Sequence, residues 1–118
     1  MKSKNKLKYY EIHNDLWKAP LSLYIGNKES YNKRMKKLGL EDDVLVLNEA
    51  GKYWMDREKG YKVMWIPSLE NKDVLIHELV HYCFDVMNTK GVPIQYENDE
   101  PIAYLIEYMF NKIIAYEK

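Results

Sequence analysis

Val74-Leu75-Ile76-His77-Glu78-Leu79-Val80-His81-Tyr82-Cys83-Phe84-Asp85-Val86-Met87 is the stretch on which the reading of this chain turns. Asn71-Lys72-Asp73 before it supplies helix-start chemistry, and Gly91 and Pro93 after it supply a stop, so the run predicts one long helix. Its polar positions are His77, Glu78, His81 and Asp85; nearly all the others are apolar, which buries most of the circumference. His77, His81 and Asp85 are spaced by four and stack along one side, with Glu78 beside them. Polar groups on so apolar a helix need partners, because each one left unsatisfied costs about 1–3 kcal/mol or more.

Working outward, a second apolar stripe, Ile102, Leu105, Ile106, Met109, Phe110 and Ile113, predicts a helix from about Glu100 to Tyr116. The first half has a different period. Leu7 to His13 and Leu21 to Ile25 are short alternating runs divided by Asn14-Asp15 and Pro20, and Val44 to Leu47 reads as a further strand. Lys28 to Leu38 carries Tyr31, Met35 and Leu38 at helical spacing and stops at Gly39. Lys52 to Asp56 and Tyr61 to Ile66 flank Glu58-Lys59-Gly60 as a hairpin. The expected fold is α+β: a small, mostly antiparallel sheet with one early helix, then two helices packed together on one face.

The 118 residues suit a single domain spanning 1–118, and a 47% apolar share is that of an ordinary globule. Eighteen Lys and Arg balance eighteen Asp and Glu, which removes the usual electrostatic ground for binding nucleic acid. No apolar run approaches the roughly 18–20 residues of a membrane span, and the Lys-rich start lacks the apolar stretch of a signal peptide. Cys83 is the one cysteine, so no internal disulfide forms and a cytoplasmic setting is expected. It reads as a small buried hydrophobe rather than a ligand. Eleven Tyr and three Trp against two Phe give the core and rim rings with polar handles.

His77-Glu78-Leu79-Val80-His81 is the HExxH pattern. Residues four apart project from adjacent turns, so both imidazoles can reach one ion about 2 Å away. The Glu between them is placed to take a proton from a metal-bound water without being a ligand itself. Zinc then lacks one protein ligand. His13 lies far upstream and reads as a strand or turn residue. The candidates are the carboxylates Glu97, Asp99, Glu100 and Glu107, ranked Glu100, then Glu97, then Glu107. Glu100 leads because it opens the second helix, and small Ala103 allows the helices to approach. The alternative for each is a solvated surface acid.

HELVH, a Gly-x-Pro-Ile loop and then ENDEPIAYLIEY resemble the small single-domain gluzincin metallopeptidases, the minigluzincins. The same segments are similar to a family of short proteins common in bacteriophage genomes. The resemblance covers about Leu69 to Ile114. The longer metzincin pattern is excluded, since Phe84 and Met87 stand where its Gly and third His belong. The resemblance implies zinc held by His77, His81 and Glu100, with Glu78 as general base. Where gluzincins often carry an Asp four residues after the ligand Glu, this chain has Tyr104, whose hydroxyl could support a ligand His or donate to an oxyanion. Tyr82 and Tyr96 are further oxyanion candidates. Asp85 is read either as a support for His81 or as a peripheral surface acid. A strand at the rim of the cleft, Tyr61 to Ile66 or a stretch within Val46 to Met55, is expected to pair with an extended peptide or protein substrate, the alternative for Tyr61 to Ile66 being a core strand that contributes only to packing. The competing readings are a metal-stabilised binding protein, such as a phage factor engaging a host protein, and a structural domain without metal.

Overall fold

A computed structural model of the chain describes residues 6–117. Four strands, β1 (Lys8–Ile12), β2 (Leu21–Ile25), β3 (Lys52–Met55) and β4 (Lys62–Ile66), form one sheet in the order β1-β2-β4-β3. Three α-helices accompany it: α1 (Lys28–Lys37), α2 (Lys72–Thr89) and α3 (Glu100–Ile114). The fold is α+β as expected, but the sheet is mixed. β1 pairs antiparallel with β2, and β3 with β4, whereas β2 and β4 run parallel, with Leu23 opposite Met64 and Ile25 opposite Ile66. Parallel neighbours need a long crossover, and α1 with the segment after it supplies one.

Helices α2 and α3 share one face of the sheet, as expected, and the early helix α1 covers the other. The sheet face bearing Leu21, Leu23, Ile25, Met64 and Ile66 packs on Leu75, Leu79, Tyr82, Val86, Leu105 and Met109 of α2 and α3. The opposite face, bearing Tyr24, Val63 and Trp65, packs on Tyr31 and Met35 of α1 and on Val44 and Val46. Because β4 is covered on both sides, all five of its residues are buried.

Val44 to Leu47 is not a strand. Asp42–Val44 forms a short 3-10 turn, and Val46 is clamped by the side-chain amide of Asn32. The Val46 N–H donates to Asn32 Oδ1 and the Asn32 Nδ2 donates to the Val46 carbonyl, both at 2.8 Å. The amide of one side chain thus replaces a neighbouring strand, and the alternation of buried Val44 and Val46 reflects core contact alone.

The helix ends fall where the glycines put them. Gly39 and Gly91 take φ of 77° and 74°, left-handed values that a side chain resists. After α1 the Gly39 N–H bonds the Lys36 carbonyl and the Leu40 N–H that of Met35; after α2, Gly91 bonds Asn88 and Val92 bonds Met87. Both are Schellman closures. At the start of α1, Asn27 Oδ1 accepts from the Ser30 N–H at 2.7 Å. No helix among the described residues is long and apolar enough to cross a membrane.

Candidate metal centre

Helix α2 packs its Leu75, Leu79, Tyr82 and Val86 face on the sheet, which turns His77 and His81 outward together. Both imidazoles are exposed, with ring centroids 5.0 Å apart and planes at 76°. Glu78, one position round the helix, is turned toward the sheet's edge and is only 7% exposed. The roof over it is backbone. A Cβ placed on Gly51 would lie 3.1 Å from Glu78 Cγ and 3.2 Å from its Oε2, so the backbone leading into β3 approaches the carboxyl with no side chain between. Burial raises the Glu78 pKa, Glu49 adds to that, and His77, His81 and Lys52 pull it back down. A cavity of about 580 Å³ opens here, lined by Glu49, Ala50, Gly51, Asp73, Val74, His77 and Glu78.

His77, His81 and Glu78 are therefore brought together. The acids just before α3 and along it, Glu97, Asp99, Glu100 and Glu107, are all exposed. Among the described residues, no three His, Cys, Asp or Glu side chains are gathered to hold one metal ion. The chemistry of the pair nevertheless fits zinc, as two imidazoles on consecutive turns of one helix face solvent beside a carboxyl that is not needed as a ligand.

Other expected residues find different employment. Asp85 is neither a support for His81 nor a surface acid. Its Oδ2 accepts from the Tyr53 hydroxyl at 2.5 Å and from Lys62 Nζ at 3.1 Å, which ties α2 to β3 and β4. Tyr82 is fully buried and is no oxyanion donor, because its hydroxyl donates to the Ala19 carbonyl and accepts from Asn14 Nδ2. Tyr96 and Tyr104 are exposed, at 91% and 62%. His13 is exposed, and its carbonyl receives Lys112 Nζ. Cys83 is buried, and its thiol is pushed up to about 12 by burial, as a small hydrophobe would be. Tyr61 to Ile66 contributes the internal strand β4, whereas β3 lies at the edge of the sheet.

Gly51, Glu49 and Asp73 belong to the cavity although their chemistry was not evident in the sequence. Lys62 did carry a signal, being a lone charge in an otherwise apolar strand that could only be buried against an acid.

No protein-family model, curated protein or solved structure matches the chain.

Proposed function

We propose that the chain is a zinc-dependent peptidase of gluzincin type, related to the minigluzincins and acting on a peptide or protein substrate in the cytoplasm. The observation that carries this reading is Glu78: a buried carboxyl with a raised pKa that lines a cleft with His77 and has the exposed imidazoles of His77 and His81 beside it on α2. His77 and His81 would hold the metal, with Glu100 of α3 as third ligand. Bound zinc would supply Lewis acidity toward water and the scissile carbonyl. Glu78 takes the proton from the attacking water and returns it to the leaving amine, work for which a pKa raised toward neutrality suits a carboxylate. β3, an edge strand with one side unpaired, offers its backbone to an extended peptide. Tyr104 is assigned to the oxyanion.

The test compares hydrolysis of a peptide library by the zinc-loaded wild type and Glu78→Gln. Loss of at least about a hundredfold is expected for a general base; hydrolysis that persists in the variant rules out this role.

A second reading has its own observation. Ile76 and Phe84, on the same helix as the His pair, are 43% and 48% exposed. That apolar surface suits a metal-stabilised protein, such as a phage factor, that engages another protein. It predicts bound zinc, no turnover and a stable complex.

A further inference from the structure

The rim strand is fastened to α2 at two points, and the second lies one helical turn beyond His81. At the first, Gly51 rests on Val74 and Glu78. At the second, Tyr53 reaches across to Asp85, which also receives Lys62 from the neighbouring strand. Gly51, immediately before β3, and Tyr53 within it are two apart and so lie on the same side, whereas Trp54, next after Tyr53, joins the opposite core. Glu78 and Asp85 are seven apart, two turns along α2. Lys62 Nζ additionally lies 3.3 Å from Met55 Sδ, near the far end of the same strand.

Such a cluster is a costly way to gain stability. Lys62 and Asp85 are 7% and 15% exposed, and taking two charges out of water offsets most of what their attraction returns. Apolar residues of similar volume would hold the layers together at least as firmly, but without direction. What the charged version adds is a fixed geometry, because a hydroxyl and an ammonium must both meet one carboxylate oxygen.

We propose that Asp85, gripped by Tyr53 and Lys62, is a positioning residue that sets the height of the β3 rim above Glu78 and thereby the width of the cleft. The role in substrate binding rests on the peptidase reading; the positioning of β3 does not. With the cluster intact, Gly51 is held down on the carboxyl and the free edge of β3 keeps one register toward an incoming peptide. Without it, β3 remains bonded to β4 but is free to lift from α2.

The experiment uses the full chain carrying Tyr53→Phe, Lys62→Met and Asp85→Leu together, an apolar replacement that keeps the layers packed. Hydrogen exchange is followed at the amides of β3, β4 and α2, and peptide hydrolysis is measured with zinc present. The expected result is a melting temperature equal to or above that of the wild type, with β3 amides exchanging at least about tenfold faster while those of α2 keep their protection. KM for peptide rises by about tenfold and kcat changes by less than about threefold, because uniform binding is lost and the base is untouched. Unchanged protection of β3 overturns the proposal, as does a fall in kcat at constant KM. If the triple variant fails to fold, Tyr53→Phe alone removes one hydroxyl and is read the same way at β3. Should the wild type cleave no peptide, the peptidase reading fails and the exchange comparison still decides whether Asp85 positions the rim.

Discussion

Glu78 is held where an ionised carboxylate is disfavoured, and that has a consequence for stability as well as for catalysis. Its pKa in the folded protein lies above the ordinary 4.5, because burial outweighs the help of His77, His81 and Lys52. Below 4.5 both folded and unfolded chains carry the proton, and Glu78 brings no penalty. As pH rises, the unfolded chain ionises first, and the fold loses stability until its own pKa is passed. Metal-free Glu78→Gln is therefore expected to melt above the wild type at pH 7 and level with it near pH 4. Equal melting temperatures at both pH values would show that the carboxyl is not under strain. Gly51 makes the complementary prediction. Its φ is unremarkable, so the issue is space: a Cβ would sit 2.7 Å from Val74 Cγ1, on a β-branched side chain with little freedom to turn away. Gly51→Ala is expected to lose about 1–3 kcal/mol on chemical denaturation and to displace Glu78. Wild-type stability in that variant would mean that the rim does not touch α2 there.

At the scale of elements, what could be read from sequence followed from how local the cause was. The helices were legible because stripe, cap and stop lie within the same stretch: Asn27 begins α1, and Gly39 and Gly91 close α1 and α2 through bonds to carbonyls three and five residues back. The β3–β4 hairpin was legible for the same reason, with Gly60 at φ 77° in its turn. The parallel pairing of β2 with β4 was not, since nothing within either strand names its neighbour. Val44 to Leu47 misled because the periodicity of a strand records only which residues face a core. The backbone groups of Val46 bond the side chain of Asn32, fourteen positions back, rather than a neighbouring strand. At the candidate site, the HExxH register put the His pair and Glu78 in place, whereas the function of Asp85 depended on Tyr53 and Lys62 from two other elements. Asn32→Ala tests the clamp directly. It leaves both Val46 backbone groups without that partner in a partly buried place, so a loss of about 1–3 kcal/mol is expected by urea denaturation. A change within about 0.5 kcal/mol, ordinary for a surface substitution, would show that water replaces the amide at no cost.

Across the whole molecule, one sheet separates two cores, and the candidate metal centre lies on the outer side of α2, beside the edge strand rather than in either core. The imidazoles are exposed, so the fold does not need an ion to satisfy them, and the metal-free chain is expected to be folded. Zinc should then act as a ligand that binds the native state and adds stability by mass action. At a hundred times its dissociation constant it adds about 2.7 kcal/mol, which for a chain of this length raises the melting temperature by roughly 10 °C. The shift divides the site into its parts. His77→Ala and His81→Ala should each abolish it, since one imidazole on an exposed helix is a weak site. Glu100→Gln should reduce it while the metal-free melting temperature stays put, because that side chain is exposed and removes no packing. A shift equal to that of the wild type in Glu100→Gln, but absent in Glu97→Gln, would move the third ligand to Glu97. A shift that survives loss of both histidines would place the bound metal somewhere other than α2, and the peptidase reading would go with it.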